Sequence, residues 1–200
     1  MAANRGGGVS VRIAVITPSL PTRAAMLAEC TAAVSAQTQQ PVAHLIGIDH
    51  ARAGTSAIRN ILVSAASRAY FAAYVALVDD DDLIHPNHLA TLAAPAEHGA
   101  DIVYSYCDVH GRDWNPNAPF DAERLRHENY IPTTVLIRGS LLERLSGWMS
   151  SAAVPHGWED WDLWKRALDL GATFACVPEI TWTYRFHLGN KTIRGEQGAL

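Results

Sequence analysis

Residues 74–82 read YVALVDDDD, five apolar or aromatic residues running directly into the four aspartates Asp79, Asp80, Asp81 and Asp82. An unbroken apolar run of this length predicts a strand buried on both faces, as in a parallel sheet, and the abrupt change to carboxylates marks its carboxyl end. Working back towards the amino terminus, Gly54-Thr55-Ser56 opens a helix continued by residues 57–69, and residues 43–49 form a second apolar run. Before it lies an Ala-rich segment, 23–37, with Leu27 and Val34 at helical spacing; residues 11–17 (VRIAVIT) are a further apolar run, ended by Pro18 and Pro21. Strand, helix, strand, helix, strand is the order of a parallel sheet with right-handed crossovers, in which ligands gather at the carboxyl ends of the strands. That rule selects residues 17–19, Asp49 and the aspartate run.

Working outward in the other direction, His85-Pro86-Asn87 opens a helix with Pro86 in its first turn, ending near His98 and Gly99. Residues 102–106 and 133–138 read as strands, separated by a polar loop (108–120) and a short helix (121–127). Helices over 140–146 and 159–170 follow, each stopped by a glycine, and then two strands, 173–177 and 181–186. The expectation is one α/β domain over 11–194, Rossmann-like, with a mostly parallel sheet flanked by helices, preceded by a flexible segment (1–10) and followed by a short tail (195–200).

Composition agrees. Two hundred residues with 48% hydrophobic and 18% charged side chains suit a single domain with a sizeable core. A formal charge of -4 gives no general polyanion-binding surface, so nucleic acid is not the expected partner. Cys30, Cys107 and Cys176 fit neither a disulfide framework nor a zinc pattern, which points to a reducing cytoplasm. The opening MAANRGGG lacks the apolar core of a secretory signal, and the apolar stretch 61–78 is interrupted by Arg68, so no transmembrane segment is expected. There is no G-x-x-x-x-G-K-[ST] loop, and Gly6, Gly7 and Gly8 precede the first strand, which argues against a dinucleotide fingerprint.

Four adjacent carboxylates repel one another unless a cation neutralises them, so a divalent metal competes with a solvated acidic turn as the reading of the run. Its place at a strand's carboxyl end favours function. Side-chain alternation along extended chain would send Asp79 and Asp81 to one side and Asp80 and Asp82 to the other. A second acidic cluster, Trp158-Glu159-Asp160-Trp161-Asp162-Leu163-Trp164, sits where a helix macrodipole favours negative charge. Asp160 shares a helical face with Leu163, Trp164 and Ala167, whereas Asp162 has Arg166 four residues on as an ion-pair partner. An acid on an aromatic, partly dry face has a raised pKa, which suits a general base. His187 follows the last strand, and an imidazole among carboxylate oxygens suits manganese better than calcium. His85 and His88 lack a third ligand and read as structural.

The ordered set AVITPSL, GID, RN, ALVDDDDLIHPNHL, NYIPTTVLIR, GWEDWDLWKRALDLG and TWTYRFH resembles the family 2 glycosyltransferases of the GT-A fold, from about Val11 to Arg194. The resemblance implies a nucleotide-binding half (11–100) and an acceptor and catalytic half (101–194). It implies that Thr17, Ser19 and Asp49 meet the nucleotide, with Arg59 and Asn60 on the next helix also in the donor site. It maps the family's acidic element to Asp79, Asp81 and Asp82, with Asp82 chiefly on the metal (manganese or magnesium) and Asp81 near ribose or metal. Glu159 and Asp160 match the family's Glu-Asp pair, the aspartate being the base, and His187 matches a histidine that sometimes binds the metal. The second strand ends in Asp49-His50 where many relatives carry consecutive acids, and the Q-x-x-R-W element of processive synthases is absent. The expected activity is therefore inverting, non-processive transfer of a sugar from a UDP-, GDP- or dTDP-linked donor to an acceptor hydroxyl of unspecified kind. The alternatives are a sugar-phosphate nucleotidyltransferase, disfavoured by the loop Thr17-Pro18-Ser19-Leu20-Pro21-Thr22-Arg23, and a non-catalytic nucleotide- or glycan-binding relative.

Overall fold

The computed structural model describes residues 11–154 and 158–187. The expected flexible start, the Gly189-Asn190-Lys191 loop and the tail lie outside them. Three apolar runs become β1 (Ile13–Ser19), β2 (Ala43–Ile48) and β3 (Tyr74–Leu77), joined by α1 (Ala24–Ser35) and α2 (Thr55–Tyr70). The first strand does not stop at Pro18 as expected but runs through it, paired with Gly47, to Ser19; Pro21 opens a short 3-10 turn, Pro21–Arg23, that leads into α1. Both β2 and β3 pair parallel to β1, which makes the first half a βαβαβ unit. Lying at the sheet edge, β2 is only half-buried, unlike β1 and β3.

The second half adds β4 (Leu83–Ile84), α3 (His88–Glu97), β5 (Ile102–His110), α4 (Ala122–His127), β6 (Val135–Arg138), α5 (Gly139–Arg144), α6 (Glu159–Asp169) and β7 (Phe174–Arg185). Among the described residues the sheet has seven strands in the order β2-β1-β3-β6-β5-β7-β4. The expected α/β architecture with a mostly parallel core is the one found, with β6 inserted antiparallel between β3 and β5, and β4 antiparallel on β7. Three expectations change. Pro86 lies in a turn before α3, which begins at His88, because the two-residue strand β4 takes up the preceding chain. The run 102–106 extends to His110. The two last strands are one, β7, whose register against β5 slips between Val177 and Ile180. That slip accommodates Pro178, which has no N–H for the ladder, as a bulge rather than a break.

Alternating side chains of the strands supply two cores, one on each face. Ala14, Ile16, Val75 and Leu77 pack against Leu62 and Ala66 of α2 and Leu163, Trp164 and Ala167 of α6. Ile13, Val15, Tyr74 and Ala76 pack against Cys30 and Val34 of α1 and Leu89, Leu92 and Ala96 of α3. Full burial of each such large side chain contributes about 1.5–3 kcal/mol, so the sheet is fixed from both sides. Among the described residues no helix is long and apolar enough to cross a membrane.

Candidate active site

Since β1, β2, β3 and β7 run one way and β6 the other, one edge of the sheet collects the ends of the first four and the start of the last. The aspartate run sits on this edge. It does not continue as extended chain: the amide of Asp82 donates to the carbonyl of Asp79 at 3.1 Å, closing a turn directly after β3. The alternation expected for the four side chains is thereby lost. Asp80 accepts from Ser19 Oγ at 2.6 Å and from Arg23 at 2.7 Å, while Asp81 also accepts from Arg23, at 3.0 Å. Asp79 turns the other way, to Arg59 of α2 at 2.6 Å. Asp82 is met by neutral donors, Thr134 Oγ1 at 3.2 Å and the Arg185 amide at 3.3 Å. The His187 ring lies with Nε2 at 3.1 Å from Asp81 Oδ2, and Arg185 also reaches the Asp81 carbonyl and Glu29.

Asp80, Asp81 and Asp82 are buried. Burial, followed by the charges of Asp81 and Asp79, holds the Asp82 carboxyl well above the usual carboxylate range. Asp81 is raised too, by burial first and then by Asp79, with Arg23 opposing. Two buried acids that resist ionisation form a place where added positive charge is favourable. Two carboxylates and an imidazole match in kind a divalent cation such as manganese, and the fold brings Asp81 and His187 together. Asp82 faces Thr134 and the Arg185 amide, and among the described residues no group of three His, Cys, Asp or Glu side chains is arranged to hold a metal.

The first turn of α6 abuts this edge. Glu159 is buried, lies 3.7 Å from Arg59 and accepts from Ser151 Oγ at 3.4 Å. It is more enclosed than Asp160, so the helix does not reserve its dry face for Asp160 alone: the helix is gripped on both sides of its start. Asp160 is half-buried and accepts from the Trp161 amide at 2.8 Å, Thr133 Oγ1 at 3.2 Å and Asn129 at 3.4 Å. Burial raises its pKa, the Trp161 hydrogen bond opposes, and the charge of Glu159 adds to the rise. Asp162 pairs with Arg166 at 2.8 Å, as its spacing implies.

Other expected site residues fall in different environments. Thr17 is fully enclosed, its hydroxyl 2.9 Å from His44 Nε2. The Asp49 carboxylate accepts from the amides of Ala53 and Gly54, both at 2.8 Å, and shapes the loop entering α2. Asn60 bonds the backbone of Trp148 through both ends of its amide. His88 is sealed in the core and His85 bonds Thr183 at 3.1 Å, which agrees with structural roles. Arg23, Thr134, Arg185, Asn129 and Thr133 had no part in the sequence reading of the site. Each carried a signal all the same: Arg23 is a cation in the loop after the first strand, Asn129, Thr133 and Thr134 lie in NYIPTTVLIR, and Arg185 lies in TWTYRFH.

Comparison with solved structures shows the same fold in several proteins. TarS 1-349 of S. aureus, solved in complex with UDP, is 14% identical with a TM-score of 0.69, the match covering 88% of this chain and 61% of that one. The mannosyltransferase PcManGT of Pyrobaculum calidifontis, solved with GDP-Man and Mn2+, is 17% identical with a TM-score of 0.60, covering 90% and 58%. A197 from STIV is 14% identical with a TM-score of 0.55, covering 84% and 82%. The chain thus spans about three fifths of the TarS and PcManGT chains. No curated protein matches it in sequence. The glycosyl transferase family 2 model, however, matches residues 28–149, more than half the chain and including the aspartate run. With the fold and the family model in agreement, the chain belongs to glycosyl transferase family 2.

Proposed function

We propose that the protein transfers a sugar from a nucleotide-linked donor to an acceptor hydroxyl, with inversion at the anomeric carbon and without processive polymer synthesis. One observation carries the reading: the turn of acids at the sheet edge and the raised, half-buried Asp160 belong to one connected cluster, joined through Asp79, Arg59 and Glu159. The solved structures of fold relatives with UDP and with GDP-Man support a nucleotide-sugar donor. In this reading Thr17, Ser19 and Asp49 border the nucleotide, Asp79 and Asp81 face its ribose and phosphates, and Glu159 completes the donor side.

Asp82, Asp81 and His187 would hold a divalent cation, manganese or magnesium, and Mn2+ in the PcManGT structure supports this. Such a cation neutralises charge on the departing diphosphate. Asp160 accepts the proton from the acceptor hydroxyl as its oxygen attacks the anomeric carbon, the bond to the donor phosphate breaking on the opposite face. Thr133 and Asn129 orient the carboxylate for that role. A single base and a single displacement give inversion, with no covalent enzyme intermediate.

The test is a thermal-shift screen of UDP-, GDP- and dTDP-sugars with and without Mn2+, followed by turnover of whichever donor stabilises the fold. Stabilisation that needs the cation, and release of the nucleoside diphosphate, are expected. Pyrophosphate release from a nucleoside triphosphate and a sugar 1-phosphate would instead identify a nucleotidyltransferase.

A further inference from the structure

Arg59 and Asn60 are neighbours on α2, and each ties the donor half to the chain that presents Asp160. Arg59 is 3% exposed, so its charge must be balanced inside the protein. It is balanced from two directions, by Asp79 at 2.6 Å and by Glu159 at 3.7 Å, with the guanidinium carbon 5.9 Å from the centre of the Trp148 ring. Asn60 donates to the Trp148 carbonyl and accepts from the Trp148 amide, both at 2.9 Å, across 88 positions of sequence. A side-chain amide thus pairs with a backbone as a neighbouring strand would.

The approach is close: a Cβ on Gly147 would come within 2.2 Å of Asn60 Oδ1. From the opposite side, Arg166 of α6 donates to the carbonyls of Leu145 at 2.8 Å and Gly147 at 3.0 Å. Residues 145–148 are therefore held between α2 and α6, and Ser151 further along grips Glu159. The start of α6, with Asp160 in it, is held by these contacts in addition to the packing of Leu163, Trp164 and Ala167 on the sheet.

We infer that Arg59 and Asn60 are positioning residues for the transfer step, a clasp that sets Asp160 against the aspartate run, and not ligands of the nucleotide. This rests on the sugar-transfer reading above, and it moves both residues out of the donor contacts that the family resemblance implies. A misplacement of about 1 Å in a reacting group costs up to roughly 100-fold in rate, so loosening the clasp should act on kcat before it acts on donor binding.

The experiment uses the full chain as wild type, Asn60→Ala, Arg59→Gln and Arg59→Lys. It measures affinity for UDP, GDP and dTDP with Mn2+, kcat for nucleoside diphosphate release from the matching nucleotide sugar, melting temperature, and hydrogen exchange. Asn60→Ala is expected to lower kcat by roughly tenfold or more while nucleoside diphosphate affinity stays within about twofold, and to lose protection at the Trp148 amide and the first turn of α6. Arg59→Lys should keep more turnover than Arg59→Gln; if Arg59→Gln does not fold, Asn60→Ala decides alone. Unchanged kcat in Asn60→Ala, or affinity loss with Trp148 protection intact, would overturn the inference. If the wild type turns over no nucleotide sugar, the sugar-transfer reading fails separately, and hydrogen exchange still decides whether the clasp holds α6.

Discussion

At the scale of single residues, Asp160 is distinguished by its surroundings. Burial raises its pKa, so below that raised value it is protonated and cannot take up a proton. The acid limb of kcat/KM should therefore lie above the usual aspartate range, measured with saturating Mn2+. Asp160→Asn keeps the size and hydrogen bonds of the side chain but cannot accept the proton, and turnover should fall roughly 100-fold or more with nucleotide affinity nearly unchanged. Asp162→Asn removes only a half-exposed i,i+4 pair, about 0.3–0.5 kcal/mol, and should leave turnover within a small factor. Gly147 is a different case, since its φ of +71° and its contact with Asn60 both exclude a side chain. Gly147→Ala should cost about 1–3 kcal/mol in denaturant unfolding.

At the scale of elements, α3 is joined to the sheet by a buried polar seam. His88 Nδ1 lies 2.7 Å from Thr181 Oγ1 on β7, which lies 2.6 Å from Ser105 Oγ on β5. Burial, with a smaller contribution from His85, lowers the His88 pKa from 6.5 to about 3. The sign follows from linkage. Above about pH 6.5 His88 is neutral folded or unfolded; between about 6.5 and 3 only the unfolded chain takes the proton, so stability falls as pH falls, by about 1.4 kcal/mol per pH unit at most. Urea unfolding at several pH values should show this slope reduced in His88→Gln relative to wild type, and parallel slopes would remove His88 as the cause.

At the scale of the whole molecule, the edge of the sheet concentrates acids that the fold holds at some cost. Because the folded-state pKa of Asp81 and of Asp82 is raised, ionising them opposes folding, and that penalty grows as pH rises from the unfolded value of 3.8 towards the raised one. Asp82→Asn removes the charge. The melting temperature of the ligand-free protein at neutral pH should therefore rise, by about 2–4 °C for each kcal/mol relieved at this chain length. If the protein binds Mn2+ and a nucleoside diphosphate as proposed, the same substitution should also abolish the stabilisation they add to the wild type. A drop in the ligand-free melting temperature would show that the hydrogen bonds from Thr134 and Arg185 outweigh the relieved repulsion.

The sequence by itself determined what short-range chemistry controls. Apolar runs of strand length and helical spacing fixed the βαβαβ unit, placed the aspartates at a strand's carboxyl end, and paired Asp162 with Arg166, because each depends on residues a few positions apart. The order of motifs also sufficed to point to the family. Only the tertiary structure decided the rest. It folded the aspartate run into a turn, so that Asp80 and Asp81 share Arg23 in place of alternating. It inserted β6 antiparallel, which brings Thr134 to Asp82, and bent β7 around Pro178 so that Arg185 and His187 return to Asp81 and Asp82 across more than 100 positions. It also turned Arg59 and Asn60 towards Glu159 and Trp148. Local propensity is blind to such partners, because what joins them is the path of the chain through two packed cores, and a buried charge takes whichever counter-charge that path delivers.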